Sequence, residues 1–274
     1  MLEYVKAVLF GIVEGITEWL PVSSTGHLIL LEEFLHLDVT AEFYELFQVV
    51  IQLGAILAVL VLFFQKLWPF SRKKSEIERK NTWNLWFKVI VAVLPSAVLG
   101  LLFDDWMDAH LYNYVTVAVM LIVYGAAFLL VERRAKVPKI TDVHGIDYRT
   151  ALFIGLFQCL SLIPGTSRSG ATILGALLLG VGRSAGAEFS FFLAIPTMLG
   201  ASALKLVKFL LEGNLLTGNE LAILAIGCVS AFVVSILVIR GLMDFVRKHS
   251  FAPFGIYRIA LGAAVLAWFA IGNG

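Results

Sequence analysis

Long apolar stretches dominate the chain, and six of them are long enough to cross a lipid bilayer. A spanning helix needs about 20 predominantly apolar residues, and the stretches 46–64, 111–131 and 221–239 contain no charged residue at all. We therefore predict six transmembrane helices, at 43–64, 84–103, 111–131, 187–207, 221–240 and 251–271.

Two further apolar regions, 4–31 and 150–182, are interrupted by turn-forming and polar residues. The first contains Glu14, Glu18, Pro21 and the string SSTGH, and the second contains PGTSRSG. Backbone that breaks at membrane depth must be buried in protein or line a wet cavity. Both regions are therefore predicted to be re-entrant helical hairpins.

The two halves of the chain resemble each other in sequence. The segment 11–29 aligns with 155–173 when one residue is skipped, and three further pairs of segments follow in the same order. We therefore predict one membrane domain, 1–274, with a first repeat at 1–135 and a second at 148–274. Because each repeat holds one hairpin and an odd number of spans, the second must be inverted, as in many transporters whose site lies where broken helices meet.

Composition places this chain among polytopic helical membrane proteins. Of its 274 residues, 59% are hydrophobic and 15% are charged, whereas an average soluble domain has about 25% charged residues. This excludes a disordered chain, a disulfide scaffold and an ordinary cytosolic enzyme. The formal net charge of +1 gives no basic field for nucleic acid, so we expect no nucleic-acid partner.

Basic residues are concentrated on one predicted side of the membrane. Fourteen lie on one side, and only Lys6, Lys205 and Lys208 lie on the other, together with an acidic turn. The fourteen are Lys66, Arg72, Lys73, Lys74, Arg79, Lys80, Arg133, Arg134, Lys136, Lys139, Arg149, Arg240, Arg247 and Lys248, and the turn holds Asp104, Asp105 and Asp108. The positive-inside rule then predicts that both termini lie outside the cytoplasm, with the first hairpin entering from that outer side.

Glu14 and Glu18 are candidates for binding a metal ion. Their i, i+4 spacing puts both carboxylates on one helix face, with Cβ atoms about 5–6 Å apart. Like charges in an apolar setting repel unless a divalent cation or a shared proton lies between them. The alternative is a water-facing pair at the interface, which the apolar neighbours disfavour.

The string from Ser23 to His27 follows Glu18 at the predicted break. It offers three hydroxyls, a glycine and an imidazole, and the free N–H groups of a new helix favour an anion. Ser24 could attack phosphorus, with His27 or a glutamate as general base, or His27 could itself be the nucleophile. Direct attack by a metal-activated water is the third possibility. The simpler interpretation is a polar turn that caps a half-helix.

The second hairpin strengthens the phosphate-binding interpretation. Residues 164–170 contain glycines, three hydroxyls and Arg168, which aligns with Ser24. A guanidinium presents a fork of donors that matches phosphate oxygens. The alternative is an ion pair between Arg168 and Glu14 or Glu18 that holds the hairpins together, and both interpretations are compatible in a resting state. Arg258, in the last span, is either a snorkelling anchor or a secondary site residue.

The two motifs together resemble those of a known family. Glu14-x-x-x-Glu18 followed by LPVSSTGH, and later PGTSRSGAT at 164–172, are similar to the signature motifs of the bacterial undecaprenyl-diphosphatases, also called bacitracin-resistance proteins. The resemblance covers nearly the whole chain, and we see no departure at the motif positions.

This resemblance implies hydrolysis of undecaprenyl diphosphate to undecaprenyl phosphate and inorganic phosphate, with a divalent cation, Mg²⁺ or Ca²⁺. It implies a bacterial cytoplasmic membrane protein whose site opens toward the periplasmic or outer face. The expected catalytic residues are Glu14, Glu18, Ser24, His27 and Arg168, of which Glu14 and Glu18 would hold the metal. We expect substrate binding by Ser23, Thr25, Gly26, Gly165, Thr166, Ser167, Ser169 and Gly170.

Two other functions remain open from the sequence. Inverted repeats with midplane hairpins are a transport architecture, so the protein could flip a lipid phosphate, alone or in addition to hydrolysis. A purely structural membrane protein would not need the four ionisable residues of the two broken regions, Glu14, Glu18, His27 and Arg168. Such residues are costly in a bilayer and usually serve a function. Small-residue faces, such as that around Gly175 and Gly180, would allow a homodimer.

Overall fold

The computed structural model describes residues 1–111, 113–134 and 137–272, apart from the side chains of Asp104, Asp105 and Asp108. Lys136, one of the basic residues counted above, lies outside the described residues. The described part contains α-helices, two short 3₁₀ helices at Val143–Gly145 and Leu160–Leu162, and one isolated bridge between Ile140 and Val181. The α-helices are α1 (Leu2–Thr17), α2 (Ser24–Phe34), α3 (Ala41–Leu62), α4 (Phe64–Leu67), α5 (Glu76–Leu111), α6 (Tyr114–Arg133), α7 (Tyr148–Cys159), α8 (Arg168–Leu178), α9 (Arg183–Leu211), α10 (Gly218–Lys248) and α11 (Ala252–Gly272).

Six of these helices are long and apolar enough to cross a membrane, which confirms the predicted all-helical fold with six spans. They are α3, α5, α6, α9, α10 and α11. Within the most apolar part of α11, only 22% of the residues are buried inside the protein. Because apolar side chains left outside a protein core need an apolar solvent, this surface indicates lipid contact, and the protein is a multi-pass membrane protein.

Several helices begin at side-chain caps that the sequence supplies. The side chains of Thr40, Asn113 and Asp147 accept hydrogen bonds from the backbone N–H three residues later. Thr217 and Glu220 form a reciprocal capping box at the start of α10. Such caps satisfy N–H groups that have no partner within the helix. The capped helices begin within three residues of the predicted starts of three spans and of the second hairpin region.

The largest difference between the predicted span boundaries and the observed helix boundaries is at α5. Apolarity predicted a span at 84–103 and an acidic turn after it, but the helix runs from Glu76 to Leu111, so the chain is still helical at Asp104, Asp105 and Asp108. Hydropathy marks the part of a helix that lies in lipid, whereas polar residues with good helix propensity extend it into water.

Four shorter helices, α1, α2, α7 and α8, lie in the two regions predicted to be hairpins. Helices α1 and α2 contact each other, as do α7 and α8. At 1.5 Å per residue, α2 and α8 with 11 residues each are about 16 Å long, about half the hydrocarbon thickness. These lengths suit half-helices that enter and leave on one side, and the re-entrant path itself stays a prediction.

The packing pattern supports the proposed duplication. Helix α1 packs along α10, and its counterpart α7 packs along α5. The aligned residues Gly11 and Gly155 lie at these two contacts, where an added Cβ would fall 2.4 Å from the Gly227 carbonyl oxygen and 2.1 Å from the Ala92 carbonyl oxygen, respectively. Only glycine permits such close backbone approach, so the two aligned positions meet the same packing requirement. The division of the chain into two repeats stays a prediction.

Candidate active site

The two chain breaks have the same local geometry. Ser23 and Ser167 each have φ of 74° and are the two non-glycine residues with positive φ in the described part of the chain. Each caps a helix, since its side chain accepts a hydrogen bond from the backbone N–H of Gly26 or Gly170. Residues other than glycine rarely adopt this strained backbone conformation, and those that do cluster at functional sites. The matched pair therefore indicates that both helix breaks serve a function.

A buried ion pair joins the first break to the second. Arg168 Nη2 donates to Glu18 Oε1 at 2.8 Å, and the two side chains are 9% and 5% exposed. The hydroxyl of Ser24 donates to the other carboxylate oxygen, Glu18 Oε2, at 2.6 Å. Three of the predicted catalytic residues therefore form one connected group, although 150 positions separate Glu18 from Arg168.

The guanidinium of Arg168 is held from several sides. Its Nη1 donates to the Ser190 carbonyl oxygen at 2.6 Å, and its centre lies 5.9 Å from the ring of Trp19. Because Arg168 is also the first residue of α8, its charge adds to the partial positive charge of that helix start. The arrangement concentrates positive charge where the two breaks meet.

Glu14 provides an unsatisfied carboxylate beside this group. It is completely buried, and neither carboxylate oxygen has a hydrogen-bond partner among the described residues. A buried carboxylate without a partner is costly, whereas a divalent cation needs oxygen ligands of this kind. The donor set fits Mg²⁺ in particular, since Mg²⁺ is commonly bound by one or two carboxylates plus substrate phosphates.

Metal binding by protein groups alone is not supported. No group of three or more His, Cys, Asp or Glu side chains able to hold a metal occurs in the described residues. Glu18 already accepts from Arg168 and Ser24, so it would rearrange to share a cation with Glu14. The residues present therefore fit a cation whose remaining ligands come from substrate or water.

Further unsatisfied polar atoms lie in residues at or next to the breaks. Among the described residues, these are Trp19 Nε1, Gln158 Oε1, Thr166 Oγ1 and Arg168 Nε. Native proteins leave few buried polar atoms without a partner. Their concentration here is typical of a site that a polar ligand or water completes.

A cavity of about 200 Å³ opens at the meeting point of the breaks. Its lining includes six predicted site residues and six others. The predicted residues are Glu18, Ser24, Thr25, Gly165, Ser167 and Arg168, and the others are Gln52, Ser161, Pro164, Thr197, Met198 and Ala201. Sequence patterns gave no signal for Gln52 or Thr197, because each is an uncharged polar residue within an apolar span and reaches the cavity only through helix packing.

The remaining predicted substrate-binding residues do not line this cavity. Ser169 is fully buried and donates to the Glu18 carbonyl oxygen at 2.9 Å, which joins the two breaks through the backbone. Thr166 is also fully buried, and Ser23, Gly26 and Gly170 take part in the caps described above. Their roles in substrate binding stay predictions.

His27 is placed differently from the expected general base. Its Nδ1 lies 2.7 Å from the Ser23 carbonyl oxygen, and its Nε2 lies 2.7 Å from the Tyr257 hydroxyl. A carbonyl only accepts, so Nδ1 carries the proton and the free lone pair of a neutral ring lies on Nε2. Both ring nitrogens are therefore engaged with groups other than Ser24, and the ring also stacks on Tyr257 with 5.7 Å between centroids.

Arg258 plays a part that the sequence did not resolve. It is fully buried and neither snorkels nor lines the cavity. Its Nη1 donates to the Pro21 carbonyl oxygen at 3.0 Å, and its Nη2 donates to the carbonyl oxygens of Gly165 and Thr166 at 2.8 and 2.9 Å. One guanidinium thus ties together the backbones of both breaks, and its position in an apolar span was the only sequence signal for it.

Comparisons with known proteins show the family to which this chain belongs. The family model of the bacitracin resistance protein BacA matches residues 7–264. The chain is 56% identical over 273 residues to an undecaprenyl-diphosphatase of Streptococcus thermophilus, covering 99% of this chain and 95% of that protein. It is 57% identical over 265 residues to the undecaprenyl-diphosphatase of Enterococcus faecalis, covering 96% of each, and 58% identical over 269 residues to undecaprenyl-diphosphatase 1 of Clostridioides difficile, covering 98% of this chain and 97% of that protein. This chain therefore belongs to the BacA family of bacitracin resistance proteins.

Proposed function

We propose that this protein hydrolyses undecaprenyl diphosphate to undecaprenyl phosphate and inorganic phosphate, and thereby confers resistance to bacitracin. The family and the names of its relatives support the activity. The structural observation that carries the proposal is the connected group of Ser24, Glu18 and Arg168 at the meeting point of two broken helices. This group combines a nucleophile, a base and a positively charged side chain that can bind phosphate, all in one cavity.

Ser24 is the nucleophile in this proposal and Glu18 is its base. The Ser24 hydroxyl already donates to Glu18 Oε2 at 2.6 Å, the distance that general base catalysis requires. Glu18 takes the proton as Ser24 Oγ bonds to the terminal phosphorus and the phosphoanhydride bond breaks. Undecaprenyl phosphate leaves, and water then cleaves the Ser24 phosphoester to release inorganic phosphate.

Arg168 offsets the negative charge of the diphosphate during both steps. Its guanidinium lies beside Glu18, so it can move part of its hydrogen bonding from the carboxylate to a phosphoryl oxygen as the carboxylate is protonated. The N–H groups at the starts of α2 and α8 add partial positive charge to the same place. Preorganised charge of this kind is commonly the largest contribution to catalysis.

Glu14 and Glu18 would hold a divalent cation, Mg²⁺ or Ca²⁺. Bound there, it would neutralise phosphoryl charge as a Lewis acid. The observation in favour is the completely buried Glu14 carboxylate without a partner.

His27 acts as a positioning residue in this proposal. Its hydrogen bond to the Ser23 carbonyl oxygen holds the strained residue directly before Ser24. Nucleophilic attack by His27 would require a different arrangement of its ring, because both ring nitrogens are engaged. Attack by His27 and attack by water are the competing mechanisms.

We also place the protein in the bacterial cytoplasmic membrane, with both termini outside the cytoplasm and the site open to the outer face. The bias of fourteen basic residues against three supports this orientation. The prenyl chain of the substrate would stay in lipid and reach the cavity laterally between spans.

Phosphate release from a polyprenyl diphosphate by detergent-purified protein tests the function. We expect release with Mg²⁺ or Ca²⁺ and loss of release with a chelator, because detergent leaves no membrane to cross. The absence of release from folded protein in either cation would instead favour the transporter.

The variant Ser24→Ala tests the nucleophile, with Ser202→Ala as its matched control. Ser202 is a buried serine that donates to the Val49 carbonyl oxygen and does not line the cavity. We expect Ser24→Ala to lose turnover and the phosphoenzyme signal seen after acid quenching, while Ser202→Ala keeps both. Turnover by folded Ser24→Ala near the wild-type rate would exclude Ser24 as nucleophile.

A further inference from the structure

A second cavity, of about 700 Å³, lies at the far end of α8 from the catalytic cavity. Helix α8 begins with Arg168 at the breaks and ends at Leu178 in this second cavity. This helix is about 16 Å long, and the linings of the two cavities share no residue. The second cavity is thus separate from the catalytic one.

The walls of this cavity are held by specific polar contacts. Arg183 Nε and Nη2 donate to the two carboxylate oxygens of Glu132 at 3.0 and 2.5 Å, and the Phe251 N–H donates to Glu132 at 2.8 Å. The backbone of Lys139 donates to the Gly180 carbonyl oxygen at 2.8 Å. These contacts link the ends of α6, α8 and α9, so the cavity has a defined shape.

The chemistry of the lining is basic at the rim and aliphatic on the walls. The basic side chains of the rim, Arg134, Lys139 and Arg247, are exposed. Arg247 forms an ion pair with Asp244 at 3.2 Å, but an exposed pair of this kind contributes little to stability. The Glu132 carboxylate is already paired with Arg183. Leucines supply the apolar part, and Leu130 and Leu178 are each more than half exposed.

This combination fits an amphiphile with a negatively charged head. The cavity is lined by the last residues of α6 and α10, and the sequence places the ends of both helices on the basic side of the membrane. Basic pockets between transmembrane helices bind anionic head groups because the charge and the apolar wall act together. A volume of about 700 Å³ is within the range of small-molecule sites.

We propose that this cavity binds the phosphate-bearing head group of an anionic phospholipid from the adjacent leaflet, with Lys139 and Arg247 contacting the phosphate. The leucine walls receive the upper parts of the acyl chains. This site is additional to the catalytic cavity and does not depend on the proposed hydrolysis.

Native mass spectrometry of delipidated protein in detergent tests this proposal, with phosphatidylglycerol and phosphatidylcholine of the same acyl chains as probes. The double variant K139Q/R247Q removes two rim charges. Its matched control, R72Q/K80Q, removes two exposed charges from the same basic side, outside the cavity lining. Size-exclusion chromatography verifies that both variants fold.

We expect the protein to bind phosphatidylglycerol more tightly than phosphatidylcholine. Each basic residue near anionic lipid contributes about 1 kcal/mol, so K139Q/R247Q should bind phosphatidylglycerol about 30-fold more weakly, and R72Q/K80Q should change binding less than threefold. Equal losses in both variants, or no preference for the anionic lipid, would overturn the proposal. Complete displacement of phosphatidylglycerol by millimolar inorganic phosphate would also overturn it, since the cavity would then be a site for free anions.

Discussion

Replacing Glu18 by glutamine removes the carboxylate charge at the centre of the proposed site while keeping the side-chain shape. Two interactions change at once: the ion pair with Arg168 at 2.8 Å and the hydrogen bond from Ser24 at 2.6 Å. The variant therefore tests whether this group performs the chemistry or only joins the two breaks.

The structure allows both effects to be estimated. Removing one partner of a buried ion pair costs about 3–5 kcal/mol, and we expect the lower end because Arg168 keeps its bond to the Ser190 carbonyl oxygen. Loss of the general base lowers turnover by about 10²–10⁴-fold. Turnover should therefore fall well beyond what the loss of folded protein explains.

Glu188→Gln is the matched control. Glu188 pairs with Lys66 at 2.8 Å, and the Lys66 side chain is 43% exposed, so its charge stays solvated when the pair is broken. The expected loss of stability is about 1 kcal/mol or less, and turnover per folded molecule should be unchanged.

The assay is phosphate release per folded molecule, with thermal stability measured on the same preparations. The double variant E18Q/R168Q separates the two roles, because it removes the unpaired charge. We expect it to regain part of the lost stability without regaining turnover. Turnover of folded E18Q within tenfold of wild type would refute the assignment of Glu18 as the base.

Three further predictions follow from the described contacts. In Glu14→Gln, added Mg²⁺ or Ca²⁺ should no longer raise the unfolding temperature as we expect it to do in wild type. Without cation, the variant should be more stable than wild type, because an unpartnered buried charge is removed. An unchanged response of the unfolding temperature to cation would contradict metal binding by Glu14. Tyr257→Phe removes one hydrogen bond to His27, worth about 1 kcal/mol, and should lower kcat about fivefold while leaving KM unchanged. His27→Ala should lower kcat further than Tyr257→Phe does. An equal loss of kcat in the two variants would show that the His27 ring contributes only through this hydrogen bond. Gly155→Ala would place a Cβ only 2.1 Å from a backbone oxygen of α5 and should lower the free energy of unfolding by about 1–3 kcal/mol or more, as overpacking does. Gly200→Ala, where an added Cβ meets nothing within 4 Å, should leave stability unchanged or raise it by up to about 1 kcal/mol. Similar unfolding temperatures for the two variants would argue against the close helix contact.

The sequence by itself determined the membrane architecture of this protein. Spans are set by the length of apolar runs against the thickness of the bilayer, and this physical constraint acts on each segment independently of the others. The same constraint makes Glu18 and Arg168 conspicuous, since charges within broken apolar regions are costly unless they serve a function. The resemblance between the two halves was also readable from the sequence, and its aligned residues Gly11 and Gly155 each lie at a close helix contact.

Only the tertiary structure decided how these residues meet. The partners of His27 and Glu18 are Tyr257 and Arg168, which lie 230 and 150 positions away, and no local pattern encodes such distances. Arg258 was ambiguous for the same reason: its role depends on three backbone carbonyls in two separate breaks. Apolar length and local charge are properties of a segment, whereas the direction of a side chain at a break is set by the helices that pack around it.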